Sequence, residues 1–127
     1  ALKRNAKSSE KAYIFLKMAW LLRGEIETLD KADPRQAELK KEERECVQKA
    51  YEGFLMAFSK ENFPMCGMDE ISLRYIMAVL APDIGKIEDS VKLLASVLNS
   101  RTAPRRIKDK ALDLKEKIKQ EVYASQH

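Results

Sequence analysis

The chain has 127 residues, of which 45% are apolar and 35% charged, and its formal net charge is +4. This length makes one domain with a buried core, and the composition excludes both a membrane-embedded and a disordered chain. Four glycines and four prolines are too few for a turn-rich all-β protein, and no apolar run approaches the roughly 20 residues of a membrane span.

The first predicted helix starts near residue 8. Apolar residues recur at helical spacing from Ala12 to Leu22, and Ser8 or Ser9 is suited to be the N-cap. The apolar pattern thins near Gly24. The helix therefore either ends there or continues as a polar extension.

The second predicted helix begins at the clearest start signal of the chain. Asp33 is suited to be its N-cap, Pro34 its first helical residue, and Gln36 the capping-box residue three positions after the cap. The first half of this helix is charged and the second half carries an apolar face. Pro64 prevents it from continuing, because proline lacks the backbone N–H that a helix needs.

Three shorter patterns follow. Asp69 is the predicted N-cap of a third helix, apolar on most sides, that ends by Pro82, and Gly85 closes the next turn. A fourth helix stops near Asn99, and Pro104 starts a fifth with an apolar stripe and lysines on its other sides. The sequence thus predicts five helices and no strand.

An internal repeat relates the two halves of the chain. An offset of 59 residues relates the small residue Ala19 to Ala78, and an offset of 40 relates Ala50 to Ser90. Small residues on paired helices allow the helix axes to approach closely. One such pair cannot bury its apolar face alone, so two pairs are expected to stack and a terminal helix to cover the end.

These residues resemble the tetratricopeptide repeat, a helix–turn–helix unit. The first pair departs from that family by a long insertion between its helices, and both prolines, Pro64 and Pro104, fall two positions late. The resemblance implies an all-α, tetratricopeptide-like array in one domain, 1–127, with pair one at about 8–62, pair two at about 69–100 and a capping helix at about 104–124. Its matching residues are Met18, Ala19, Leu22, Ala50, Phe54 and Ala57 in pair one and Met77, Ala78, Gly85, Ile87, Ser90, Leu94 and Val97 in pair two.

At a finer level, three segments resemble the C-terminal region of a family of uncharacterised bacterial proteins with a domain of unknown function. They are residues 11–24 (KAYIFLKMAWLLRG), 67–80 (GMDEISLRYIMAVL) and 105–118 (RRIKDKALDLKEKI). The resemblance implies that a cysteine-rich, metal-binding segment precedes these helices in the whole protein. That agrees with a chain that begins with Ala1 rather than methionine. It implies no activity.

The motifs of catalysis and metal binding are missing from the sequence. The only histidine is the last residue, His127, which excludes Ser-His-Asp, Cys-His and HExxH arrangements, and no glycine-rich phosphate loop exists. Cys46 and Cys66 have no zinc-site spacing and form at most one disulfide. We expect a protein of the reducing cytoplasm that is not an enzyme and binds no metal or cofactor.

Protein binding is the function that the resemblance favours. In tetratricopeptide-like arrays the first helix of each pair lines a groove for a peptide or a partner domain. Trp20 has two interpretations, as part of this groove or as part of the core, and Arg23 with Lys17 is suited to capture a carboxylate. The predicted partner-binding residues are Tyr13, Lys17, Trp20, Arg23 and Tyr75.

Uneven charge leaves a second function open. Residues 1–11 carry a net charge of +3 and residues 101–127 carry +4, whereas the residues between them carry −3. Two basic ends are suited to bind nucleic acid, and a homodimer through the uncovered end of a short array is a third interpretation. The basic residues concerned are Lys3, Arg4, Lys7, Arg101, Arg105, Arg106 and Lys108.

Overall fold

The computed structural model describes residues 7–126, apart from the side chain of Gln126. Within these residues there are five α-helices, one 3-10 turn and no β-strand, so the prediction of an all-α chain is confirmed. The elements are α1 (Ser8–Glu27), α2 (Arg35–Lys60), α3 (Glu70–Leu80), a 3-10 turn (Ala81–Ile84), α4 (Ile87–Leu98) and α5 (Arg105–Gln126).

The chain divides into two compact units between the predicted pairs. The first unit, Ala1–Gly67, contains α1 and α2, and the second unit, Met68–His127, contains α3, α4 and α5. A single domain over the whole chain stays a prediction.

The first unit is an antiparallel hairpin of two long helices. Its core forms where the inward side of α1 meets the second half of α2, and the predicted small residues Ala19 and Ala50 are both buried there. The helices approach closely at Gly53, where an added Cβ would lie 2.8 Å from the Ala12 Cβ. Gly53 is therefore the residue that permits the close approach. The remaining buried side chains include Ala12, Leu16, Val47, Tyr51, Phe54 and Ala57.

The start of α1 corrects the sequence prediction. Lys7 occupies the N-cap position without a side-chain cap, and Ser8 and Ser9 both lie inside the first turn. The backbone N–H of Ser9 donates to the Glu61 carboxylate at 3.0 Å, and the Ser9 hydroxyl donates to the same carboxylate. A carboxylate at the end of α2 thus satisfies a first-turn N–H that a local serine was expected to satisfy.

The connection from α1 to α2 resolves one alternative and corrects another prediction. Since α1 ends at Glu27, it passes Gly24 as a polar extension. Pro34 occupies the N-cap position and α2 begins at Arg35, so the predicted N-cap Asp33 lies one residue too early. The Asp33 carboxylate still accepts from the Arg35 N–H at 2.9 Å. The capping-box role of Gln36 is wrong. Its Nε2 instead donates to the carbonyl oxygens of Ile26 at 3.3 Å and Leu29 at 3.2 Å, at the end of α1 and just beyond it.

In the second unit, the predicted start of α3 is confirmed. The Asp69 carboxylate accepts from the Ser72 N–H at 2.7 Å. This hydrogen bond stabilises the ionised form and lowers the pKa of Asp69. The α-helix ends at Leu80, and the chain continues as a 3-10 turn up to Gly85, which adopts the left-handed conformation with φ of 79°.

A buried hydrogen bond joins α3 to α4. In a continuous helix the Ala78 carbonyl would accept from the backbone N–H four residues later, but that residue is Pro82, which has none. The Ser90 hydroxyl donates to this carbonyl at 2.6 Å, and both residues are fully buried. The small residues of the second pair therefore meet directly, as the repeat predicts.

Helix α5 covers one side of α4. Ala111 and Ile118 are buried in a core with Ile71, Leu94 and Val97, and partly buried apolar residues of α5 pack around them. Helix α5 packs mainly against α4 and less extensively against α3. This placement agrees with the predicted position of a fifth helix at about 104–124.

Candidate functional site

The predicted site residues of α1 lie mostly on its solvent-exposed side. The Lys17 ammonium lies 5.0 Å from the centroid of the Tyr13 ring, a cation–π contact that fixes the two side chains beside each other. Trp20, one turn further along, is 50% exposed. The structure therefore does not bury Trp20 in the core, and the core interpretation of this residue is wrong.

Arg23 is engaged with α2. Its Nε and Nη2 donate to the Glu43 Oε1 at 3.0 and 2.8 Å. The expected capture of a carboxylate by Arg23 is thus performed within the hairpin, by a residue of the charged first half of α2. Lys17 is the predicted cation that remains on the exposed side of α1.

Tyr75 belongs to the second unit. Its half-buried ring packs against the core of that unit and lines a cavity of about 340 Å³ with residues of α5, among them Asp113 and Leu114. Burial raises the pKa of the Tyr75 hydroxyl, and the negative charge of Asp113 raises it further. The structure brings Tyr75 next to α5, and it brings Tyr13, Lys17 and Trp20 together on α1.

Sequence reasoning missed three exposed apolar residues of α1. Ile14, Met18 and Leu21 recur at spacings of four and three, which places them on one side of the helix. Together with Trp20 they are between 43% and 74% exposed. The sequence did contain a signal for these residues, because the helix is apolar on several sides rather than along one stripe. We call Tyr13, Ile14, Lys17, Met18, Trp20 and Leu21 the outer face of α1.

A groove of about 380 Å³ runs between α1 and α2 beside the outer face. Its α1 side is apolar, whereas its α2 side carries Glu42, Glu45 and Lys49. The Lys49 ammonium lies 5.2 Å from the centroid of the Phe15 ring. Cys46 also lines the groove, and burial raises the pKa of its thiol, which keeps it protonated and poorly nucleophilic at neutral pH.

The basic residues considered for nucleic-acid binding are distributed over both units. Lys3 and Arg4 lie outside the described residues, as does His127. Lys7 is exposed just before α1. The others lie at and before the start of α5, where Arg101, Arg105 and Arg106 are exposed and Lys108 is half-buried.

The described residues contain no group of three or more His, Cys, Asp or Glu side chains that could hold a metal ion. Cys46 and Cys66 are both free thiols, the first buried and the second exposed. Over the part of the chain that the structure describes, no helix is both long and apolar enough to cross a membrane.

Comparison with known proteins places the chain in a family. The family model DUF2225, described as an uncharacterised protein conserved in bacteria, matches residues 1–118. The chain belongs to the DUF2225 family. The match spans α1 to α4 and α5 as far as Ile118, so it includes both helix pairs and the outer face of α1. No curated protein and no solved structure was found to match the chain.

Proposed function

We propose that this DUF2225 chain is a non-catalytic protein–protein interaction module that binds a peptide or a partner domain on the outer face of α1. The observation that carries the proposal is the exposure of four large apolar side chains, Ile14, Met18, Trp20 and Leu21, on one 20-residue helix. Single exposed apolar residues are ordinary on protein surfaces, but a contiguous group is typical of an interaction site.

The residue types of this face suit a partner contact. Tryptophan and tyrosine supply large, rigid contact areas and are enriched among residues that dominate binding energy. Lys17, held over the Tyr13 ring, adds one positive charge at the centre of the face. We therefore expect a partner segment with apolar anchors and an acidic residue that pairs with Lys17.

We further propose that each helix pair is a tetratricopeptide-like hairpin whose first helix, α1 or α3, presents partner-binding residues within its own unit, Tyr75 among them on α3. Two contacts support the hairpin geometry: the approach of α1 to Gly53 and the hydrogen bond between Ser90 and Ala78. Both lie within a pair at positions occupied by small residues. The same proposal includes a cytoplasmic location, which rests on the cysteine usage. It also includes a preceding cysteine-rich segment, which rests on the family resemblance.

The test uses the full-length protein. Within residues 1–127, Trp20 is the only tryptophan. Partners captured by the wild-type protein at about 0.5 M salt are compared with those captured by Trp20→Ala and by Leu21→Ser. Leu55→Ser is the matched control, because Leu55 lies on α2 in the same unit and is similarly exposed. Expected is a loss of at least about tenfold in affinity for the α1 variants and no loss for the control.

Hydrogen exchange of the purified complex locates the contact. Protection over residues 13–23 supports the proposal, and so does a blue shift of the Trp20 fluorescence on binding. Equal capture by all variants, or protection confined to α5, contradicts it.

The alternative proposal is a nucleic-acid-binding accessory domain, favoured by the exposed Arg101, Arg105 and Arg106 near the start of α5. Binding of labelled RNA or DNA would then weaken steeply with salt, with a slope that reports several released counterions. Reversal of charge at Arg105 and Arg106 is expected to reduce that slope, whereas Trp20→Ala is expected to leave it unchanged.

A further inference from the structure

The second unit contains an apolar groove that no part of the proposed function uses. It has a volume of about 540 Å³ and lies between α4 and the second half of α5. Its exposed apolar residues Ile87, Val91 and Tyr123 are between 40% and 64% exposed. The full lining consists of Ile87, Glu88, Val91, Lys92, Lys115, Ile118, Lys119, Val122 and Tyr123.

The spacing of the apolar residues in this groove suits the packing of a further helix. Ile87 and Val91 are four residues apart on α4, and Ile118 and Val122 are four residues apart on α5. Each pair therefore forms a ridge one helical turn long, and a third helix can place its side chains between two such ridges. Helix α4 has 12 residues, or about 18 Å, which corresponds to roughly three turns of a bound helix.

The rim of the groove is basic. Lys92, Lys115 and Lys119 line it with a single acidic residue, Glu88, which leaves a net charge of +2. None of the three lysines forms an ion pair with a carboxylate of the described residues. Their aliphatic stems extend the apolar walls, and their ammonium groups stay in solvent beside the groove. An occupant with acidic side chains along its apolar stripe would pair with them.

We propose that this groove binds an amphipathic helix of a partner protein, apolar on one side and flanked by aspartate and glutamate. This surface lies in the second unit, whereas the outer face of α1 lies in the first. Charge decides against a second copy of the chain, because a symmetric contact presents the same surface from both sides. A rim with a net charge of +2 would then face an identical rim, which is repulsive on balance.

The test uses a fluorescein-labelled synthetic 14-residue helix, with leucine at positions that repeat every three and four residues and glutamate beside them. A matched peptide carries lysine in place of each glutamate. Fluorescence anisotropy measures the binding of both to the wild-type protein at about 0.1 M salt. The acidic peptide is expected to bind at least about tenfold more tightly than the basic one.

Two variants with the same change in net charge distinguish binding in the groove from non-specific electrostatic attraction between the acidic peptide and the protein. Lys119→Glu reverses a rim charge, whereas Lys117→Glu reverses the charge of a residue that lies on the Tyr75 side of α5. Lys119→Glu is expected to weaken binding of the acidic peptide at least about fivefold, and Lys117→Glu less than about twofold. Val91→Ser shortens the exposed apolar wall and is expected to weaken binding of the acidic peptide as well. Circular dichroism verifies the helix content of each variant.

Several results would overturn the proposal. These are equal effects of Lys119→Glu and Lys117→Glu, equal affinity for the two peptides, or unchanged binding by Val91→Ser. Loss of peptide binding in Trp20→Ala would move the contact to α1 and also refute the groove. Self-association in analytical ultracentrifugation that Val91→Ser abolishes would make the occupant a second copy. Unchanged peptide binding by Trp20→Ala supports the groove, whether or not the function proposed for α1 holds.

Discussion

The two helix pairs carry different small residues at one equivalent position, and the two residues have different roles. In the first pair, Ala19 is followed four residues later by Arg23, whose N–H is available to the Ala19 carbonyl, and alanine at position 50 is sufficient. In the second pair, Ala78 is followed by Pro82, and the equivalent of Ala50 is Ser90, whose hydroxyl replaces the missing donor. A change from alanine to serine in one helix therefore compensates for a proline at the end of another.

The pairs also differ at the position that Gly53 occupies in the first. In the first pair the two helices approach closely at Gly53, against Ala12. The position related to Gly53 by the 40-residue offset is Leu93, which is half-buried. The second pair therefore has a side chain where the first has none, and its buried hydrogen bond lies three residues earlier, at Ser90.

The largest expected effect comes from the two core residues that the offset relates. Phe54 and Leu94 are both fully buried. Phe54→Ala is expected to lower the free energy of unfolding by about 3–5 kcal/mol and Leu94→Ala by about 2–5 kcal/mol, because each leaves a cavity. Urea denaturation measures both costs. A cost below about 1 kcal/mol for either variant would contradict its assignment as a core residue.

An intermediate effect is expected at Ser90. Ser90→Ala leaves the buried Ala78 carbonyl without a donor, which costs about 1–3 kcal/mol of unfolding free energy. Pro82→Ala supplies a backbone N–H to the same carbonyl, so the cost of Ser90→Ala is expected to fall below about 1 kcal/mol in that background. Denaturation of the four proteins of this double-mutant cycle measures the coupling. Independent costs would show that serine does not compensate for the proline.

The smallest expected effect comes from replacing two helical glycines by alanine, which should change the stability of the protein in opposite directions. Gly53→Ala places a Cβ against the Ala12 Cβ and is expected to destabilise the hairpin by about 1 kcal/mol, since overpacking outweighs the gain in helix propensity. Gly24→Ala is the control, because no atom lies within 4 Å of its added Cβ. It is expected to stabilise the protein by about 0.5–1 kcal/mol. Thermal denaturation distinguishes the two, and stabilisation by both would contradict the close approach.

Local signals in the sequence were sufficient for the helices but not for their contacts. Asp69 is the N-cap that was predicted, and Asp33 and Pro104 lie within two residues of the observed helix starts, because caps and prolines act on the nearest turn. The predictions for Ser9 and Gln36 failed because their partners lie in another helix or at its end.

The candidate sites show the same limit. Trp20 had two interpretations because helical spacing does not say which side meets a partner helix. The groove between α4 and α5 was missed because Val91 and Ile118 are far apart in sequence, and each looked like part of an ordinary apolar stripe. Only their tertiary placement reveals that the groove is continuous.

The Gln36 amide has one more consequence. By donating to the carbonyls of Ile26 and Leu29, it joins the first turn of α2 to the end of α1, so the connection between the helices is a closed loop. Residues 30–32 are exposed, and the Asp33 N–H donates to the Asp30 carbonyl at 3.0 Å across them. We therefore expect a fluorescent label on the side chain of Lys31 to leave the register of both helices unchanged. This loop tip is where a reporter of partner binding can be attached to the hairpin with the least structural disturbance.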